Sequence, residues 1–359
     1  MKRSAVLPVA LLAAALAAVQ IVATALGREY ILTQMIMAAY YSIVVLGLCL
    51  LMGYAGQVSL GHAAFFAIGG YTSAVLTTKP WPRGGAAADW LARAGVLAER
   101  ADLYGEPLTT VAPWAAFGAA LLLAAAVALL VGYPALRLRG YTLAMATLGF
   151  GLIVYRLALG AGFTGSADGI SGVPPWRLGF GLAVCGDKAR RVQNYYVAWS
   201  LAVLALLGLL NIVQSRFGRG LRAIHDGELA ANAMGVDTGR AKLQVFVLSA
   251  VLAAAAGSFL THYNGGIGPS EAGAMKSVRY VALVAAGGMA NLWGALTVSA
   301  VLTFLSLRGC FGTFDHTVFG LILIGIVALA PEGPLRPLAA WFRRAASKAF
   351  RGRSPHAPA

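Results

Sequence analysis

The chain has 359 residues, of which 59% are hydrophobic and only 11% charged, and its net charge is +15. A soluble domain carries roughly 25% charged residues, so a water-soluble globular fold is excluded: too few polar groups are available to cover its surface. Nucleic-acid binding is not implied by the positive charge, because the Lys and Arg residues gather at the ends of apolar runs, where they set membrane topology.

Lys2 and Arg3 precede an apolar run from Ala5 to Leu26. Signal-peptide cores are usually about 7–15 residues long, so a retained first span is expected; a cleaved signal peptide processed at Ala23-Thr24-Ala25 is the alternative. With this run, the apolar elements are centred near residues 15, 42, 68, 122, 150, 205, 252, 283, 300 and 322. Stretches such as 114–131 and 197–212 hold almost no charge over most of the ~20 residues that a spanning helix needs. They are continuously apolar and rich in Ala and Leu, whereas barrel strands alternate in character. The expected fold class is an all-α integral membrane protein, a polytopic helical bundle of about ten elements with broken or re-entrant helices.

With the amino terminus inside, the inward segments are 1–4, 54–60, 134–140, 213–242, 290–291 and 331–359. They hold most of the Lys and Arg residues, against Asp226, Glu228, Asp237 and Glu332. The positive-inside rule then makes both termini cytoplasmic. Two long loops, 79–113 and 162–195, fall outside. Within the first, Ala86 to Ala101 has a helical pattern with Trp90, Leu91, Ala94 and Leu97 on one face, which predicts a short interfacial helix. The second opens Gly-Phe-Thr-Gly-Ser-Ala-Asp-Gly from Gly162, turn chemistry expected to pack over the outer mouth.

No GxxxxGK[ST] phosphate loop is present, so ATP-driven work requires a partner. Asp and Glu are absent from the expected span interiors, which argues against a proton symporter; a sodium site of backbone carbonyls would leave no such mark. His62, His225, His262, His316 and His356 are scattered, and Cys49, Cys185 and Cys310 form no CxxC pair. Neither catalysis nor a metal site is expected, and His62 reads as a hydrogen-bonded structural residue.

Three features carry mechanism. Gly53 to His62 places glycines and small polar residues between two apolar stretches, poor material for a continuous helix. It is either a broken helix lining a substrate path or a tight loop between spans. Gly287 to Gly294 echoes it, and Asn291 would cap the following helix while Gly287 and Gly288 permit close contact. Between these lies the basic connector, 215–242, in which Glu228 begins a short helix that Gly235 ends in a left-handed cap.

The segment Leu229-Ala230-Ala231-Asn232-Ala233-Met234-Gly235 resembles the EAAxxxG coupling loop of bacterial ABC-importer permeases. It departs in having Leu229 at the Glu position, with Glu228 one place earlier, and no closing Leu-Pro. The longer string from Arg219-Gly220-Leu221-Arg222 through Met234-Gly235-Val236 is similar to the branched-chain amino acid permeases of LivM type. Matching segments occur in family order: Gly53 to Ala63, Leu138 to Tyr141 with Thr147 to Phe150, and Gly287 to Gly294. The resemblance covers about residues 30–335; loop 79–113 and the basic tail, 336–359, are outside it.

The resemblance implies an ABC-importer permease fold over residues 1–335, with 215–242 as a cytoplasmic coupling loop, in a bacterial inner membrane. It implies a second homologous permease, two cytoplasmic ATPase subunits that hold ATP and Mg, and a periplasmic binding protein delivering Leu, Ile or Val. This chain itself would bind no cofactor. ATPase coupling would fall to Glu228, Leu229, Ala230, Ala231, Met234 and Gly235, and the substrate pathway to Gly56, Gln57, Ser59, Gly61, Gly287, Gly288 and Asn291. Urea or short-amide transport is the alternative within the family, and a lone sodium-coupled transporter or a membrane scaffold the alternatives outside it.

Overall fold

The computed structural model describes residues 6–80, 95–101, 107–135, 138, 140–179 and 181–309, with isolated positions between 317 and 325. Its membrane-length helices are α1 (Val6–Ala25), α2 (Tyr30–Ala55), α4 (Pro113–Ala135), α5 (Tyr141–Gly160), α6 (Arg191–Gln214) and α9 (Thr238–Asn264). Three shorter apolar helices join them: α3 (His62–Thr78), α10 (Ala274–Gly287) and α11 (Leu292–Leu307). Each of the expected span centres from residue 15 to residue 300 falls inside one of these helices. The last, near 322, lies outside the described residues, as do Cys310, His316, His356 and the basic tail.

α2 is the hub, buried from Ser42 to Ala55 without interruption. It packs against α6, α9 and α11, and the Ser299 hydroxyl on α11 donates to Ser42 on α2 at 2.7 Å. α3 and α9 approach backbone to backbone: a Cβ on Gly69 would strike Ala254, and one on Gly257 would strike Phe66. Small residues allow such contact where lipid removes the hydrophobic drive for association. α4 turns a four-residue stripe of Ala116, Ala120, Ala124 and Ala128 inward and leaves Leu122 and Leu130 exposed. That polarity, small side in and large apolar side out, suits a helix facing lipid or another subunit.

Loop 79–113 differs from expectation. Leu97 to Ala101 is a strand, β1, paired antiparallel with β2 (Pro107–Val111). Gly95 adopts φ 70° just ahead of β1, and Thr109, Thr110 and Val111 favour a ladder partner. Trp90, Leu91 and Ala94 lie outside the described residues. Loop 162–195 is turn-rich as expected, but α6 begins within it at Arg191. The loop pairs β3 (Ile170–Ser171) with β6 (Gly266–Ile267), and carries the hairpin β4 (Trp176–Gly179) to β5 (Leu182–Val184). It is pinned by Trp176, fully buried and stacked on Phe259 at 4.6 Å, and by His262, whose ring bonds the Pro174 carbonyl at 2.8 Å and Ser73 at 2.9 Å.

The connector contains two helices, α7 (Arg216–Asp226) and α8 (Glu228–Ala233). Ser215 caps α7 by accepting from the Gly218 N–H at 3.3 Å. Gly235, at φ 83°, follows the end of α8 as expected.

A half-length helix sets the depth of the next feature. Tyr54 Oη donates to the Ala290 carbonyl at 2.6 Å, and Lys276 Nζ donates to Tyr41 Oη at 3.3 Å. From Tyr41 to Tyr54, α2 advances about 20 Å at 1.5 Å per residue, and α10 covers nearly the same rise between Lys276 and its end. α10 therefore starts level with the middle of α2. The non-helical link from Gly265 to Gly273, with its 3-10 turn Pro269–Ala272, folds back to that level.

Candidate functional site

At the connector end, the described parts of four segments expected to face inward, 54–60, 134–140, 213–242 and 290–291, come together. α2 ends at Ala55 with Gly56 in the left-handed region at φ 67°, and α3 restarts at His62. Gly53 has no room for a side chain, because a Cβ there would collide with the backbone of Ala290. The two glycine-rich breaks thus touch. Gly287 packs backbone on backbone against Gly294 and Ala295, Gly288 ends α10, and the Asn291 carboxamide oxygen caps α11 by accepting from Gly294 N–H at 3.1 Å.

The link from Gly56 to Gly61 runs beside the connector, with Gln57, Ser59 and Gly61 buried and Gly56 and Val58 exposed, and side chains meet several of its polar groups. Leu60 N–H donates to Thr147 Oγ1 at 3.0 Å, Ala63 N–H donates to Ser277 Oγ at 3.2 Å, and Gly61 lies against the Thr147 backbone. The His62 ring bonds Ser59 Oγ at 3.1 Å and Ser249 Oγ at 2.5 Å, with Phe65 and Phe246 packed edge-on against it. This is the structural histidine that the sequence anticipates. Gln57 is different. Only 3% exposed, it has no hydrogen-bond partner for either amide atom among the described residues, and with Gly56, Gly140, His225, Glu228 and Lys242 it lines a cavity of about 140 Å³.

The connector closes that cavity from outside. Glu228, at the start of α8, pairs with Lys242 on α9 at 2.7 Å. Arg222 donates to the Val213 carbonyl at 3.0 Å and lies 6.0 Å from the Tyr54 ring, so it holds α7 to the bundle as well as adding charge. Among the expected coupling residues, Leu229 and Met234 are 75% and 85% exposed, and Ala230 and Gly235 are exposed beside them. Ala231 is 3% exposed and faces the core. The outward face of α8 is therefore Leu229, Ala230, Met234 and Gly235, while Glu228 and Ala231 seat the helix.

One cluster escaped the sequence reading. Glu271 was expected outside the span interiors, yet it stands level with the middle of α2, where its carboxylate accepts from Tyr41 Oη at 3.2 Å and pairs with Lys276 at 2.5 Å. The missed signal was length. Only 14 residues of α10 separate the Gly273 turn from the Gly287-Gly288 pair, too few to cross a bilayer, so the helix and the acid before it must start at depth. Intramembrane carboxylates and ammonium groups are expensive and usually mark a pathway.

The chain matches the family described as branched-chain amino acid transport system / permease component over residues 30–330. It is 31% identical over 321 residues to the high-affinity branched-chain amino acid transport system permease protein LivM of Salmonella typhimurium, covering 83% of this chain and 68% of that protein. LivM of Escherichia coli is 31% identical over 317 residues, 82% of this chain and 67% of its own length. LivH of Escherichia coli, a permease protein of the same named system, is 29% identical over 143 residues, 39% of this chain and 46% of its own. No solved structure matches the chain. By its family match and its apolar helices, the chain is a multi-pass membrane protein that belongs to the branched-chain amino acid transport permease family.

Proposed function

We propose that this chain is one permease subunit of an ATP-binding-cassette importer that carries Leu, Ile and Val across a bacterial inner membrane, with both termini cytoplasmic. The observation that carries the reading is the exposed apolar tip of α8, Leu229 and Met234, mounted on a connector that also closes the cavity at Gln57. An exposed apolar tip on a short, firmly seated helix suits insertion into a cleft of another protein. The relatives' names supply the substrate class and the kind of system.

Two ATPase subunits would bind ATP and Mg and press on α8. The pressure would pass through the Glu228–Lys242 pair and His225 beside Gly56 to the link 56–61, favouring one access state over another. Gly56, Gln57, Ser59 and Gly61 line or support the connector-end mouth of the pathway, and Gly287, Gly288 and Asn291 brace it from the neighbouring turn. A second related permease would complete the channel; the partial likeness to LivH, named for the same system as LivM, supports it. Loops 79–113 and 162–195 would face a periplasmic binding protein.

The test is uptake in cells that lack other branched-chain amino acid importers and express this chain with its partners. Labelled leucine should accumulate and be competed by valine and isoleucine, while excess urea should not compete. Competition by urea alone would transfer the reading to the urea and short-amide branch.

A further inference from the structure

The cluster around Tyr41 is more than an anchor for α10. Lys276 and Glu271 form an ion pair of 2.5 Å, and Tyr41 Oη touches both, donating to the carboxylate and accepting from the ammonium group at 3.3 Å. Both charged side chains remain partly exposed. A cavity opens on either side. On one, about 90 Å³, Lys276 is accompanied by Arg279, Tyr280, Thr303, Leu283 and Leu307. The hydroxyls of Tyr280 and Thr303 are buried and have no hydrogen-bond partner among the described residues. On the other, about 120 Å³, Glu271 is joined by Thr261, Asn264, Phe66, Leu260 and Ile267.

A pair serving structure alone would be enclosed, and its neighbouring hydroxyls would be satisfied, because an unmet buried hydroxyl is destabilising. Here two unmet donors, shut off from bulk solvent, belong to residues that line the cavity beside the cation. We propose that this cluster is a mid-membrane binding site for a zwitterionic α-amino acid, an inference that rests on the permease reading above. The ligand carboxylate takes Lys276 and the Tyr280 and Thr303 hydroxyls, the ligand ammonium takes Glu271, and Leu283 and Leu307 receive an aliphatic side chain. The internal ion pair is exchanged for two external ones with no change in net charge.

That exchange selects the substrate class. A zwitterion leaving water loses the hydration of both ends, and a site offering both opposite charges restores it. A neutral solute such as urea gains nothing from opening an ion pair. A bare anion or cation would leave one partner unpaired.

The experiment uses the full assembly in proteoliposomes with its ATPases and binding protein. It measures labelled leucine uptake beside binding-protein-stimulated ATP hydrolysis. Glu271→Gln and Lys276→Met should each reduce uptake about tenfold or more while hydrolysis persists, the scale expected for one lost charge-assisted contact. Lys276→Arg should recover much of the uptake. The double swap Glu271→Lys with Lys276→Glu rebuilds an ion pair but reverses its ends, and uptake should stay low. Recovery by the swap, single variants within about twofold of the unaltered protein, or a parallel loss of hydrolysis would each overturn the site. Those results leave the permease reading standing, whereas that reading falls if the unaltered assembly takes up no leucine.

Discussion

The phenol of Tyr54 donates to the carbonyl of Ala290 at 2.6 Å, tying the end of α2 to the turn between α10 and α11. Ala290 holds φ at 61°, a region that residues with a Cβ avoid, in contact with the bare backbone of Gly53. Tyr54→Phe removes one hydrogen bond and should lower stability by about 1 kcal/mol. Ala290→Gly should be neutral or stabilising by up to about 1 kcal/mol, because glycine takes the left-handed conformation without strain. Thermal unfolding of the detergent-purified chain reads both. A stabilised Tyr54→Phe variant would contradict the bracing role of this contact.

Glu228 and Lys242 should be energetically coupled. Their 2.7 Å pair is mostly shielded from water and links α8 to the foot of α9. In a double-mutant cycle with Glu228→Gln and Lys242→Met, a coupling of about 1–2 kcal/mol is expected in unfolding measurements. Additive effects within about 0.3 kcal/mol would show that the pair does not seat the helix.

The two faces of α8 should separate docking from folding. Leu229→Glu combined with Met234→Lys alters only exposed side chains, so the chain should insert and melt normally but lose copurification with the ATPase subunits. Ala231→Glu forces a carboxylate into the core and should destabilise by about 3 kcal/mol or more, failing before any partner is added. Normal copurification by the Leu229 and Met234 variant would remove the docking role from α8.

His62→Ala should leave Ser59 and Ser249 without their shared partner inside the bundle. A loss of about 2–4 kcal/mol is expected from the two unmet hydroxyls and the lost ring packing. His62→Gln, which can still reach one serine, should lose less. Equal loss for both variants in thermal melts would mean that ring packing, not hydrogen bonding, is what His62 supplies.

The spans were legible because lipid demands long apolar runs, and residues such as Leu122 and Leu130 carry that signal whatever they face. The short helix α8 was legible because Gly227 and Gly235 punctuate it. α7 was less so: Gly218 and Gly220 weaken its helix propensity. The structure shows Gly218 packed where a Cβ would overlap the Val213 carbonyl, so a tertiary contact requires that residue. β1 was misread because a helical pattern ending in Leu97, Ala98 and Ala101 cannot outweigh a pairing partner ten residues on. Nothing in the local sequence marks Glu271 as deep. Its depth follows from the length of α10 and the position of Tyr41, relations that local pattern does not contain. In the candidate site, Gly56 and Gln57 were found from composition, whereas Lys276, Tyr280 and Thr303 converge only in three dimensions.

The central claim is ATP-driven import of branched-chain amino acids, and it is tested most directly by reconstitution. The chain, its partner permease and the two ATPase subunits are placed in liposomes, and the binding protein and labelled leucine are supplied on the side of loops 79–113 and 162–195. Leucine should accumulate only when ATP and Mg are present on the connector side, without a sodium gradient. Accumulation driven by a sodium gradient in the absence of ATP, or ATP-driven accumulation of urea with none of leucine, would contradict the account.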